Sequence, residues 1–309
     1  METTESISIE NITDPRQSDA WGEHLRSYGW KLQRTKSGIL VAVMKMPFIG
    51  SIIKIQRPRV VTEEDLLEIE ELSKKTKALF VKIDLFVGQD VEIFKKYGYV
   101  TSSFPLCPTK TMFVDLNLDF DSLWARVSHS GKYSINRARR EGAKLYFYRN
   151  PSKEKMEEYY KVLSYTGHRK HFYVEPFKNV WVRKEAFGTD SFLIMVYGKE
   201  GKVEGGKFFM AYKDDVVYNT GGTTEAGRHT KSGYLLTWEA LLYFKRLGYK
   251  YLDLEGLYDT RFPSFTSGWE GFSHFKDKFN GEIIEMPVPQ IKYISPVIKA
   301  MVRLSPMGM

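Results

Sequence analysis

The 309-residue sequence predicts a mixed α+β fold, with strands and helices alternating in the α/β manner, arranged as two modules in tandem. Three observations predict it. Short apolar runs rich in β-branched residues alternate with amphipathic stretches along the chain. An apolar content of 42% with 15% aromatics, over this length, supplies core for two modules of ordinary size. The order of elements also restarts near residue 121, so the second half repeats the first in outline.

In the first module, "GILVAVMKM" (38–46) and "SIIKI" (51–55) read as paired strands, with Pro47 and Gly50 in the turn between them. "TEEDLLEIEELSKKTK" follows as a helix: Thr62 is placed to cap it, acids crowd its first turn and lysines its last. "ALFVKIDL" is then a strand, "QDVEIFKKYG" a helix stopped near Gly98, and "TKTMFVDL" a strand that completes the module.

The second module opens with "DSLWARVSHSGKYSINRARREG" (121–142), a long basic helical region, and the strand "AKLYFY". A helix over about 151–166 follows Pro151. "SFLIMVYG", "VEGGKFFMAY" and "DVVYNTGG" read as three antiparallel strands separated by turn signals. A helix over 231–247 leads through Gly248 into the strand "YKYLDLEG". Internal duplication is further suggested by "EIFKKYGYV" around Gly98 and "LYFKRLGYKYL" around Gly248, although a helix, a glycine and a strand in succession are common. The segment 286–309 is too short for a domain and is expected to pack back as a terminal helix.

Composition narrows the function. Lys and Arg number 46 against 38 Asp and Glu, a net charge of +8 that favours a polyanionic partner: nucleic acid, nucleotide phosphate or an anionic membrane face. A single cysteine, Cys107, excludes an internal disulfide and a cysteine-based zinc cluster, and suits a reducing compartment. The polar, acidic stretch "METTESISIENITDPRQ" lacks the basic start and apolar run of a secretory leader, so a cytoplasmic protein is expected. No run of 18 apolar residues predicts a membrane span. No metal is expected: of the six histidines only His168 and His171 are close, and no HExxH pattern occurs. Neither a Gly-x-Ser-x-Gly elbow nor a phosphate loop is present.

"NTGGTTEAGRHTKSGYLLTWEALLYFKRLG" is more informative. A strand ends in Gly-Gly, and a polar basic loop opens a helix whose free amides, with Arg228, Lys231 and Ser232, could hold an anion. This resembles the GNAT superfamily of N-acyltransferases, where coenzyme A pyrophosphate sits on such a loop. Here Arg228 is followed by His, Thr, Lys and Ser before Gly233, so the spacing of the coenzyme signature is missing, and no cofactor is expected.

Read end to end, over roughly residues 16–285, the chain resembles the Fem-type (FemABX) aminoacyl-tRNA-dependent peptidyltransferases. "RQSDAWGEHLRSYGWKLQRTKSGILVAV" with "QRPRVV" resembles their N-terminal stretch, and "SHSGKYSINRARREGAKLYF" their inter-domain helix. "YLLTWEALLYFKRLGYKYLDLEG" followed by "FKDKFNGE" is similar to their closing pattern, with Leu254-Glu255-Gly256 in place of Phe-Gly-Gly and Asn280-Gly281 in place of Gly-Gly. The resemblance implies two tandem GNAT-like acyltransferase domains, each a mixed, mostly antiparallel sheet flanked by helices. These are residues 1–145, joined by the C-terminal segment 287–309, and residues 146–286. The helix 121–141 leaves no room for an inserted coiled coil, so the compact type is expected.

The resemblance also assigns roles. Lys276 would stand beside the aminoacyl ester to stabilise the oxyanion or the RNA phosphate, and the main-chain carbonyl of Phe275 would orient the amine. On the residues alone, Lys276 reads rather as a solvated helix lysine. Arg169 and Tyr173, four apart and on one face if helical, would hold the diphosphate and sugar of the precursor. Tyr218 is a third contact, or a buried strand tyrosine. The family's first-domain lysine has no match here, where His24 and Leu25 stand; Arg26, Lys31 or Lys36 could substitute. The basic stretch with Arg126, Lys132, Arg137, Arg139, Arg140 and Lys144 suits an RNA backbone, or is a solvated helix face.

The implied partners are aminoacyl-tRNA and UDP-MurNAc-pentapeptide or lipid II, with peripheral contact to the inner membrane face, for a protein acting as a monomer. Two other readings stay open: a GNAT N-acyltransferase using acyl-CoA or another acyl donor on a sugar or peptide amine, and an RNA-binding protein on a degenerate scaffold.

Overall fold

The structure, a computed structural model, describes residues 12–304; residues 1–11 and 305–309 of the segments named above lie outside them. In chain order the elements are α1 (Asp19–Arg26), β1 (Lys31–Arg34), β2 (Leu40–Met46), β3 (Gly50–Gln56), α2 (Glu63–Thr76), β4 (Ala78–Asp84), α3 (Glu92–Lys96), β5 (Val100–Thr101) and β6 (Lys110–Asp115). They continue with α4 (Phe120–Arg126), α5 (His129–Arg140), β7 (Lys144–Arg149), α6 (Lys153–Lys170), α7 (Phe177–Phe187), β8 (Ser191–Tyr197), β9 (Val203–Tyr212), β10 (Asp215–Thr223), α8 (Glu225–Thr230) and α9 (Ser232–Arg246). The last are β11 (Tyr251–Asp253), α10 (Glu270–Lys276), β12 (Glu282–Glu285), β13 (Gln290–Tyr293) and α11 (Pro296–Leu304).

The chain divides into two compact units. The smaller, residues 16–110, 259–267 and 284 onward, holds a six-stranded sheet in the order β1-β2-β3-β4-β13-β5. Alternating residues of β2, β3 and β4 (Val41 and Val43, Ile53 and Ile55, Val81 and Ile83) close over Leu66, Ile69 and Leu72 of α2. That helix starts at a capping box, with the Thr62 side chain on the Asp65 amide and the Asp65 carboxylate on the Thr62 amide.

The larger unit, residues 12–15, 111–258 and 268–283, holds a seven-stranded sheet in the order β12-β6-β11-β10-β9-β8-β7. Its core packs Phe192, Ile194, Phe209, Val216 and Leu252 against Leu236, Leu241 and Phe244 of α9 and Ile135 and Ala138 of α5. α6 packs against β9 and β10. It approaches so closely that a Cβ on Gly222 would stand 2.8 Å from the Val162 carbonyl oxygen.

Three sequence expectations change. The boundary expected at 145/146 falls at 110/111, because β6 pairs antiparallel with β11 (Val114 opposite Leu252) and α5 packs on α9. β6 therefore belongs to the seven-stranded sheet, while β13, from the C-terminal segment, joins β4 and β5 in the six-stranded one. The helix expected over 121–142 is two helices, because Ser128 adopts an extended backbone and caps α5 by accepting the Gly131 N–H. The Gly98 and Gly248 segments occupy different places in the two sheets. Gly248 precedes β11, the strand parallel to β10, whereas the strand parallel to β3 is β4, preceded by Lys77.

Candidate active site

Each sheet holds a parallel pair of neighbouring strands, β3 with β4 and β10 with β11, and the two pairs end differently. In the smaller unit β3 and β4 stay paired to Gln56 opposite Asp84, and the Arg57 N–H then donates to the Asp84 carbonyl at 2.7 Å. Arg57 is 1% exposed and closes that end. In the larger unit β10 and β11 pair only from Asp215–Tyr251 to Val217–Asp253. Beyond this, β10 continues along β9 alone, with a register shift between Tyr218 and Thr220. The sheet opens there.

Lys276, on the last turn of α10, reaches this opening and is 7% exposed. Its Nζ donates to the Glu255 carbonyl at 3.1 Å and the Gly256 carbonyl at 2.6 Å. These oxygens are presented by a constrained turn: Glu255 has φ +61°, and Gly256 lies against the Trp269 ring. Asp253 Oδ1 braces the turn, accepting the Glu255 N–H at 2.6 Å and the Thr111 hydroxyl. Burial brings the Lys276 amine down to about 8, against the opposing pull of Glu255 and Asp253. The solvated-lysine alternative is thereby removed.

The Phe275 carbonyl takes the Asp277 N–H and retains a second lone pair, as carbonyl oxygens do. Tyr218 lies at the opening, its ring centroid 5.9 Å from Lys276 Nζ, and burial pushes its phenol up. Its place on β10 is steadied from α7, where Arg183 donates to Asn219 Oδ1 at 2.7 Å and pairs with Glu175.

Sequence reasoning missed Lys207. This β9 residue is 5% exposed, with Nζ 4.0 Å from the Tyr218 ring centroid and 4.7 Å from that of Phe275. Its signal was present: one lysine inside the run "GGKFFMA", whose neighbours are all apolar or glycine.

Arg169 and Tyr173 do not share a helix face, because α6 ends at Lys170 on His171 at φ +57°. Arg169 keeps a buried Nε with no hydrogen-bond partner. Tyr173, 82% exposed, lines a cleft of about 200 Å³ with Leu163, Phe172, Val174, Glu175 and Thr220. On α5, Arg139 donates to Glu239 at 2.9 Å, Arg137 lies 3.5 Å from Glu141, and Arg140 is exposed. In the smaller unit Arg26 pairs with Glu23, Lys36 lies 3.9 Å from Glu68, and Lys31 is exposed. The loop expected before α9 is itself helical, as α8, and Ser232 is buried with its hydroxyl on the Gly227 carbonyl.

No family model matches the chain, and no curated protein matches it. Solved structures do. FemX matches with a TM-score of 0.80 at 15% identity, over 95% of this chain and 96% of that one. L-PGS from Bacillus licheniformis matches with a TM-score of 0.62 at 15% identity, over 94% and 95%. A tandem GNAT protein from the clavulanic acid biosynthesis pathway matches with a TM-score of 0.52 at 11% identity, over 84% and 83%. The chain thus has a FemX-like tandem GNAT fold, each unit a mixed sheet flanked by helices.

Proposed function

We infer that the chain is an aminoacyltransferase that moves an amino acid from aminoacyl-tRNA to the side-chain amine of a peptidoglycan precursor stem peptide, carried on UDP-MurNAc or lipid II. The observation that carries this reading is Lys276: one cation, buried where two parallel strands part, anchored on two carbonyls in a protein with the fold of FemX. An ammonium has three N–H donors, and two are spent on Glu255 and Gly256. The third is left for an oxygen that gains charge.

The chemistry this suits is attack of an amine on an ester carbonyl. The C–N bond forms, the carbonyl oxygen becomes an oxyanion beside Lys276, and the ester C–O bond breaks toward the 3′ oxygen of the tRNA. The ester is already activated, so the work is alignment and charge stabilisation, and neither coenzyme A nor a metal is required. The Phe275 carbonyl orients the amine, Tyr218 borders it, and Arg169 and Tyr173 take the precursor's diphosphate and sugar. Arg137, Arg139 and Arg140 meet the RNA backbone. The protein acts as a monomer at the inner membrane face of the cytoplasm.

The test supplies charged tRNA with UDP-MurNAc-pentapeptide or lipid II, and acyl-CoA in a parallel reaction. Transfer abolished by RNase is the expected result. RNase-resistant transfer from acyl-CoA replaces the reading with an N-acyltransferase, and tight RNA binding without turnover replaces it with an RNA-binding protein.

A further inference from the structure

Two buried lysines share one tyrosine ring at the opening of the sheet. Lys207 Nζ stands 4.0 Å and Lys276 Nζ 5.9 Å from the Tyr218 centroid. Their surroundings differ in kind. Lys276 has two carbonyl acceptors, with the charges of Glu255 and Asp253 acting on it. Lys207 makes no hydrogen bond or ion pair among the described residues. It meets the faces of Tyr218 and Phe275, and its strand partners are Ile194 on β8 and Gly221 on β10, neither of them titratable. The one charged group acting on it is Lys276 itself.

An amine without acceptors, shut away from water beside a cation, is more stable neutral than charged. Burial first and the Lys276 charge second accordingly hold Lys207 well below the ordinary lysine range. Paired groups whose environments drive their protonation apart divide naturally into an acid and a base.

We propose that Lys207 is the proton acceptor of the transfer, a neutral amine that deprotonates the incoming ammonium while Lys276 keeps its charge. The inference rests on the acyl-transfer reading of this site. An alkylamine reaches the protein as its ammonium, having a pKa near 10.4 in water. Lys207 takes one proton from it, and the free amine attacks the ester carbonyl. The nitrogen of the tetrahedral adduct first gives its extra proton to solvent; as the adduct collapses, the C–O electron pair leaves on the 3′ oxygen, which receives the proton held by Lys207. One proton is released per turnover, and no oxidant or co-reactant is needed. While protonated, Lys207 is held by the two ring faces, a placement that stabilises a transient ammonium.

The test begins on the unmodified protein without substrate, carrying ¹³C at the lysine ε-carbons, with the Lys207 resonance identified by its loss in Lys207→Arg. Lys207 should titrate far below the surface lysines and move upward in Lys276→Met, where the repelling charge is gone. A midpoint among the surface lysines, or no response to Lys276→Met, overturns the proposal. In the transfer assay, Lys207→Met and Lys207→Arg should each lower kcat by about 10²–10⁴-fold, the range typical of a general base, with the acceptor KM unchanged. A Lys207→Arg enzyme with near-normal kcat overturns the proposal while leaving the acyl-transfer reading intact. Absence of turnover in the unmodified protein with every donor overturns both.

Discussion

Gly256 lies so close to Trp269 that a Cβ on it would stand 2.2 Å from Cζ3, and the carbonyl of the same residue takes the 2.6 Å hydrogen bond from Lys276. Ring and cation thus both constrain Gly256. Gly256→Ala forces the ring or the turn to move, at a cost of about 1–3 kcal/mol typical of overpacking. It should lower the melting temperature and lower turnover further than that loss explains. A destabilised variant with full activity would detach the turn from the chemistry.

Lys276 acts through its charge, and burial brings its amine to about 8. Activity should therefore have an alkaline limit near pH 8. Lys276→Met should cost about 10²–10³-fold in kcat, as for loss of an oxyanion donor, with the fold retained. The lowered folded-state pKa also sets a stability slope. Between about pH 8 and the unfolded value near 10.4 the folded protein binds fewer protons than the unfolded one, so wild-type stability rises with pH relative to Lys276→Met. Denaturant melts across that range check the sign; parallel curves refute it.

Glu255 occupies the left-handed region at φ +61°, where a side chain costs on the order of 1 kcal/mol and glycine costs little. Its charge supports the Lys276 ammonium. Glu255→Gly should leave stability within about 1 kcal/mol of wild type, since relief of strain offsets added unfolded-state freedom. The alkaline limit of activity should move to lower pH, as Lys276 loses a negative neighbour. An unmoved limit would show that the Glu255 charge does not reach the reaction.

Features written in local chemistry were legible in the sequence, and those decided by distant pairing were not. Thr62 and Asp65 bracket the first turn of α2 as the sequence pattern indicates, and Pro47 falls in the turn between β2 and β3, while Gly50, expected in that turn, is the first residue of β3 and pairs with Met46. β6 shows its strand character, but nothing in "TKTMFVDL" says that its partner is β11, 142 residues on from Thr111 to Asp253. The helix expected to stop near 166 runs on to Lys170 and ends at His171, a non-glycine at φ +57° that gives no stop signal, so the condition that would put Arg169 and Tyr173 on one face is not met. Lys276 was reached through family resemblance. Lys207 was not reached at all: periodicity marks a polar residue as facing solvent, whereas β9 is covered on both faces at this point.

Arg169 carries a buried Nε with no partner, a group that an anionic ligand would satisfy. Arg169→Ala should raise the acceptor KM by roughly 10–100-fold, the value of a hydrogen bond to a charged group, with kcat and melting temperature held. An unchanged KM for the nucleotide precursor removes Arg169 from the binding site.

Asp84 ends the closed parallel pair of the smaller unit. Its Oδ2 accepts the N–H groups of Leu106 at 2.6 Å and Cys107 at 2.7 Å, while its buried Oδ1 has no partner. Burial outweighs these bonds and the charges of Lys82 and Arg57, and raises the carboxyl to about 6. A raised acid stabilises the fold below its unfolded value near 3.9 and loses that contribution as pH climbs through 6, roughly 3 kcal/mol in all. Asp84→Asn keeps a carbonyl oxygen for the two amides and removes the titration. It also adds an N–H donor, which shifts stability by a constant, so the slope is the discriminating quantity. Urea melts at pH 4, 5, 6 and 7 should show wild type losing ground to the variant between pH 4 and 6.5. Curves that stay parallel would mean that the Asp84 carboxylate is solvated and ionised at the end of the sheet, contrary to its burial.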